Sequence, residues 1–177
     1  MFSSSLAFLG RTDLAVAVTT DVYNRYVHQR APWDHVECGE HYFRPLSVWT
    51  VLLALQGFRW DAVRRSLGFT PRISETDHRS LFCTAAGWGE YFAMNSGTRR
   101  IHRIVHQAGK LALSEFTIGL TPVEGSDPTK GLRCICDSEA LQATGKVVDG
   151  RMVIRFQRPL RLKPGATLEV SWDRTAS

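Results

Sequence analysis

The densest group of chemically active side chains in the sequence lies at residues 32–44, which spell PWDHVECGEHYFR. Within this stretch His35, Cys38 and His41 follow one another at intervals of three, which is close to the spacing of metal ligands. The second pair of ligands that a structural zinc site uses is missing, so the metal hypothesis remains one alternative among several.

Two other kinds of chemistry fit the same stretch. Asp34 and Glu37 have the right types for an acid and a base, but they lie too close along one short loop to flank a bond that is being cleaved. A sugar suits the composition better, since Glu37 and Arg44 can hydrogen-bond neighbouring hydroxyls while Trp33 or Tyr42 offers an aromatic face. A buried Glu37–Arg44 pair that holds the loop onto a helix is the purely structural alternative.

Two predicted helices surround this stretch. Apolar residues recur at helical spacing from Thr12 to about Arg30, and a second helix is predicted from His41 to Gln56, with Gly57 as its C-cap. The second helix is apolar on nearly all sides and should therefore be buried. Two helices cannot cover each other on every side, so the helical part is predicted to be incomplete by itself.

The rest of the chain indicates β structure. Asp149-Gly150 between alternating apolar residues is a strong hairpin signal, with Met152, Ile154 and Phe156 facing inward. A second hairpin is predicted between Leu160–Leu162 and residues 167–172, with Leu168, Val170 and Trp172 on the same face as the two leucines. Earlier strands are predicted at 81–84, 90–94, 100–106 and 111–120. The predicted fold class is α+β, with a helical segment at 1–70, a linker at 71–79 and an antiparallel β-sandwich-like domain at 80–177.

Composition limits the class of protein. The 177 residues are 44% hydrophobic and 22% charged, and no run of about 20 apolar residues is present, which argues against a transmembrane segment and against wholesale disorder. The net charge of +5 comes from arginines that are mostly scattered or alternate along strands, as solvated side chains do. We therefore expect no nucleic-acid partner. One denser cluster keeps that alternative open: Arg99, Arg100, His102, Arg103, His106 and Lys110.

Smaller motifs carry structural expectations. Gly87-Trp88-Gly89 predicts a tight turn between strands that is anchored by a core tryptophan.

Cys134 and Cys136 are predicted to be reduced and buried on one strand face. The N-terminus lacks the features of a signal peptide. We therefore expect a cytoplasmic protein. His102 and His106 would share a strand face, about 13 Å apart, too far to hold one ion.

Residues 32–44, followed by WTVLLALQGFRWD at 49–61, resemble the C-terminal end of glycoside hydrolase family 116, which contains non-lysosomal glucosylceramidase and bacterial β-glucosidases. LGFTP at 67–71 and FCTAAGWG at 82–89 continue the match in the same order. The resemblance implies that the predicted helices are the last two of an (α/α)6 toroid. The remaining helices would be supplied by an upstream catalytic segment or by the other half of the enzyme.

The resemblance also implies a function and a site. Family members are retaining β-glycosidases, and the expected substrate is a β-glucoside or glucosyl lipid. Their catalytic Glu and Asp lie earlier in the toroid, no residue here matches them, and no catalytic residue, metal or cofactor is assigned. Glu37 and Arg44 match the sugar-holding pattern, although the chain has His35 where a further acidic residue is expected. The predicted substrate-binding residues are Glu37, Arg44, Trp33, His35 and His41.

A protein of a different class remains an alternative, namely a non-catalytic carbohydrate-binding or protein-interaction module. An exposed aromatic platform on a sandwich face would favour it, whereas inward-facing Trp88 and Trp172 would not.

Overall fold

The computed structural model of the protein describes residues 2–28, 48–120 and 128–174. The chain divides into two compact units, Met1–Gly57 and Phe58–Ser177. The sequence placed this division after residue 70 with a linker at 71–79, but two strands precede residue 70 and a third begins at Asp77. Those first two strands contain three and four residues, which is too short for their alternation to be recognised locally.

The helical unit contains three described helices. They are α1 (Phe2–Phe8), α2 (Thr12–His28) and α3 (Trp49–Gln56). The predicted start of α2 at Thr12 is confirmed, and α3 is the described part of the second predicted helix, whose beginning at His41 lies outside the described residues. Gly57 ends α3 in the left-handed region at φ 58°, and its N–H donates to the carbonyl of Ala54 at 3.1 Å. The predicted C-cap is confirmed.

The described residues of the helical unit form a small core cluster. Ala7, Ala15 and Ala54 are fully buried, with Leu6 and Leu55 packed partly against them. Ala15 is the one buried residue that the 17-residue helix α2 contains. Many larger apolar side chains of the unit are exposed: Phe2, Phe8, Leu9, Leu14, Val16, Val22, Tyr23, Val27, Val48 and Trp49.

The β unit consists of eleven strands in the part of the chain that the structure describes. They are β1 (Arg59–Asp61), β2 (Ser66–Phe69), β3 (Asp77–Thr84), β4 (Gly87–Ser96), β5 (Arg99–Gly109), β6 (Leu111–Gly119), β7 (Arg133–Cys136), β8 (Glu139–Ala140), β9 (Ala143–Val148), β10 (Arg151–Leu162) and β11 (Thr167–Asp173). The first sheet has the order β1-β2-β6-β10-β9 and the second has the order β3-β4-β5-β11-β7-β8. The described strand pairs are antiparallel, except that β2 and β6 run parallel.

The two sheets enclose one apolar core. Phe69 of the first sheet stacks on Tyr91 of the second, with ring centroids 4.0 Å apart and planes at 3°. Phe116 of the first sheet and Phe82 of the second both contact Phe69 edge-on, an arrangement that aromatic rings favour. Trp172 is fully buried in the same cluster. A β-rich C-terminal domain is therefore present, as predicted.

The first predicted hairpin is confirmed. Asp149 and Gly150 have φ of 49° and 70°, and they join β9 to β10, as a two-residue turn with positive φ at both positions requires. Met152 and Ile154 are fully buried, and Phe156 packs partly against the core.

The second predicted hairpin is wrong. β10 belongs to the first sheet and β11 to the second, so the turn at Lys163–Ala166 carries the chain from one sheet to the other. Leu162, Leu168, Val170 and Trp172 do face one core, as predicted. Inward alternation is the same whether two strands pair side by side or face each other across a core, so the pattern alone cannot distinguish the two.

The expectation of a core tryptophan at Gly87-Trp88-Gly89 is also wrong, because Trp88 is 47% exposed. A Cβ at Gly89 would clash with the carbonyl oxygen of Val105, so the inward position of β4 admits no side chain there. Trp88 alternates with the inward-facing Gly89 and Tyr91, so its indole lies on the outer face of the sheet.

Candidate functional site

The predicted sugar-binding residues lie outside the described residues. These are Trp33, His35, Glu37, His41 and Arg44, together with the alternative metal ligand Cys38. Their roles therefore remain predictions. Within residues 2–28, 48–120 and 128–174, no group of three or more His, Cys, Asp or Glu side chains is arranged to hold a metal ion.

A depression of about 380 Å³ lies on the outer face of the first sheet. Its floor contains Gly68 of β2 and Thr117 of β6, which pair directly with each other. Arg59 of β1 pairs with Gly68 on one side, and Arg151 begins β10 on the other. The two arginines thus flank a floor made of small residues.

Two carboxylates of this depression already have partners. Glu115 accepts a hydrogen bond from Ser66 Oγ at 2.9 Å and one from Arg155 Nε at 3.0 Å. Asp61 Oδ1 accepts the backbone N–H groups of Val63 and Arg64 at 3.0 and 2.9 Å. These contacts hold both carboxylates in place at one end of the depression.

The flanking arginines have no such partners. Neither the Arg59 nor the Arg151 side chain forms a hydrogen bond or ion pair with another residue in the described ranges. Partial burial lowers the pKa of Arg59, and the positive charges of Arg151 and Arg72 lower it further. The depression therefore contains two neighbouring cationic side chains that form no ion pair with a described residue.

The outer face of the second sheet carries an apolar patch, which we call the Trp88 patch, formed by Leu81, Cys83 and Trp88. Cys83 pairs with Trp88 across β3 and β4, so both side chains lie on the same face. Leu81 is 55% exposed and Trp88 is 47% exposed. Glu90 lies beside the patch and is paired with Arg79 at 2.6 Å.

The basic cluster of the sequence does not form one surface. On β5 the side chains of Arg100, His102 and His106 are buried, whereas Arg99 and Arg103 lie on the opposite face. Arg103 is paired with Glu169 at 2.8 Å, and Arg99 with Asp173 at 3.7 Å. The alternation of the strand thus separates residues that are adjacent in sequence.

A buried polar group lies in the core of the β unit. His102 Nδ1 is 2.8 Å from Tyr91 Oη, and its ring stacks on Trp172 with centroids 4.9 Å apart. Burial, followed by the charge of Arg100, holds the pKa of His102 well below its usual value. The imidazole is therefore neutral at physiological pH. His106 is buried on the same face, as predicted.

The described cysteines are free thiols with different environments. Cys134 is buried, and burial raises the pKa of its thiol to about 11. Cys136 is half-buried, and burial with two nearby carboxylates raises its pKa. Cys83 is exposed. The low thiolate fraction of Cys134 and Cys136 makes them poor nucleophiles and is consistent with structural roles.

Comparisons with known proteins find similarity among solved structures. No family model matches the chain, and no curated protein matches it. Among solved structures it is similar to the alpha-L-rhamnosidase from Dictyoglumus thermophilum, with a TM-score of 0.39 and 11% sequence identity. The match covers 72% of this chain, which spans 13% of the length of the rhamnosidase chain. None of the helices in the described ranges is long and apolar enough to cross a membrane.

The sequence did not single out Arg59 and Arg151 as a pair. Arg151 was recognisable as an outward residue next to the Asp149-Gly150 turn. The proximity of Arg59 depends on the parallel pairing of β2 with β6, whose residues are 49 positions apart at Ser66 and Glu115. No local pattern signals such a pairing.

Proposed function

We propose that the chain is the C-terminal portion of a β-glycosidase that acts on β-glucosides or glucosyl lipids. In this proposal Glu37 and Arg44 hold hydroxyls of the glucosyl unit, and Trp33, His35 and His41 line the same site. The catalytic carboxylates come from the upstream toroid segment. The sequence resemblance to glycoside hydrolase family 116 supports the assignment of class and substrate.

The observation that carries the proposal is the exposure of large apolar side chains on the described helices of the helical unit. Helix α2 is 17 residues long and buries Ala15, while Leu14, Val22 and Val27 are exposed. Burying a side chain of this size contributes about 1.5–3 kcal/mol, so a helix that exposes several of them is stabilised by a further apolar layer. A toroid of paired helices supplies such a layer.

The β unit supports a non-catalytic role for this part of the chain. Three of its glutamates are held in ion pairs with arginine, at 2.6, 3.0 and 2.8 Å, and the pairs are Arg79–Glu90, Arg155–Glu115 and Arg103–Glu169. Each pair joins two strands of the same sheet, so these carboxylates already have structural partners.

Turnover of a chromogenic aryl β-glucoside tests the proposal. The purified chain alone should give no turnover, because it lacks the catalytic pair. Mixed with a separately produced family 116 toroid that lacks its last two helices, it should restore activity. Glu37→Gln should then lower kcat/KM by about tenfold or more, since a charged hydrogen bond to the sugar is lost.

Glu40→Gln provides the matched control, because it removes the same charge from the same stretch and should leave kcat/KM unchanged. Robust turnover by the chain alone would contradict the absence of catalytic carboxylates. A mixture that stays inactive, or a loss that is equal for both variants, would overturn the proposal.

The Trp88 patch favours a second candidate function, a carbohydrate-binding or protein-interaction module. Trp172 is buried, but Trp88 presents an exposed ring beside Leu81. Aromatic faces bind the C–H surfaces of sugars. If this function holds, soluble β-glucan should quench tryptophan fluorescence, and Trp88→Ala should abolish the response while Leu81→Ala weakens it. A response that survives Trp88→Ala rules out this surface.

A further inference from the structure

We propose that the depression over the first sheet binds an acidic sugar, whose carboxylate or phosphate group is held between Arg59 and Arg151. This site belongs to the β unit and does not depend on the glycosidase proposal. It uses residues that are distinct from those assigned to the glucosyl unit.

The sheet register places the two arginines on either side of a low floor. β1 and β10 are separated by β2 and β6, which corresponds to about 14 Å between their backbones at the usual strand spacing. Gly68 and Thr117 occupy the intervening positions in line with Arg59. Two long guanidinium side chains can therefore lean toward each other over small residues and enclose an anion from opposite sides.

Arg59 and Arg151 are available to bind an anion, because the neighbouring carboxylates of the depression are paired with other groups. Glu115 is occupied by Arg155 and Ser66, and Asp61 is occupied by backbone N–H groups. The side chains of the two flanking arginines form no ion pair with a described residue, and burial followed by the charge of Arg151 lowers the pKa of Arg59. Guanidinium groups bind carboxylate and phosphate in a bidentate manner, so an oxyanion would relieve the repulsion.

The remaining polar groups favour a sugar over a bare anion. The carboxylate of Asp149 and the hydroxyl of Thr117 line the same depression, beside the paired carboxylates of Asp61 and Glu115. Carboxylate acceptors repel an inorganic anion but accept hydrogen bonds from hydroxyl groups. The volume of about 380 Å³ lies within the range of small-ligand sites. A ligand with one negatively charged group and several hydroxyls fits both the arginines and the hydrogen-bonding groups of the lining.

Calorimetric titration of the full chain at low salt tests the proposal with four probes, namely D-glucuronate, glucose 6-phosphate, glucose and inorganic phosphate. We expect at least one acidic sugar to bind about tenfold or more tightly than either glucose or phosphate. The tighter of glucuronate and glucose 6-phosphate identifies the anionic group. Binding of inorganic phosphate as tight as that of the acidic sugars, or no binding of either acidic sugar, would overturn the proposal.

Substitutions distinguish binding of the ligand in the depression from general electrostatic attraction of an anion to a basic protein. Arg59→Gln and Arg151→Gln should each weaken binding about tenfold or more, and Arg151→Lys should weaken it because bidentate contact is lost while the charge is kept. Arg161→Gln is the matched control, since Arg161 is exposed on the same strand but does not line the depression. The arginine variants should unfold at the wild-type temperature or above, because an unpaired repulsion is removed. Equal losses in Arg161→Gln and Arg151→Gln would contradict the site.

Discussion

The buried imidazole of His102 shows how a single residue ties stability to pH. Its environment consists of Tyr91 Oη, the ring of Trp172 and the positive charge of Arg100. Burial and that charge both disfavour the protonated form, so the pKa of His102 in the folded state lies below its value in the unfolded chain. Burial also lowers the pKa of His78.

We therefore expect the free energy of unfolding to fall as the pH drops below about 6.5, where the unfolded chain takes up protons that the folded state excludes. Above that pH the contribution is fully present. Urea denaturation at pH 8 and pH 5.5 measures the effect, and His102→Gln should reduce the difference between the two pH values. Greater stability at pH 5.5 than at pH 8 would show that the buried imidazole is not the controlling group.

Individual strands and helices show what local pattern can and cannot predict. β9 and β10 were predictable because Asp149-Gly150 encodes its own turn geometry. The start of α2 at Thr12 and the end of α3 at Gly57 followed from side-chain type in the same way. Each of these features is specified within a few residues.

Pairing between strands was less predictable. The inward faces of β10 and β11 were correctly identified, but their assignment to one hairpin was wrong because facing sheets produce the same alternation. β1 and β2 were missed because both are short, and β2 joins the sheet through a distant parallel partner, β6. The flanking arginines of the depression depend on that same long-range pairing, so the candidate anion site was not visible in the sequence.

The two units of the chain differ in the size of the side chains that form their described cores. The β unit has a core of large side chains from both sheets, including Phe69, Tyr91 and Trp172. In the described part of the helical unit, the core cluster consists of three alanines, and many larger apolar residues are exposed. The sequence predicted that the helical part is incomplete by itself, since two helices cannot cover each other on every side. The toroid that would cover it remains a proposal that rests on the sequence resemblance.

Amide hydrogen exchange on the full chain tests most directly whether the helical unit needs a further partner. Exchange rates follow local stability, which depends on buried apolar contacts. We predict strong protection in β5, β6 and β11, whereas amides of α2 should exchange at least about a hundredfold faster. Protection of α2 equal to that of β5 would show that the helical unit is stable by itself, and it would contradict the proposal that an upstream toroid segment completes it.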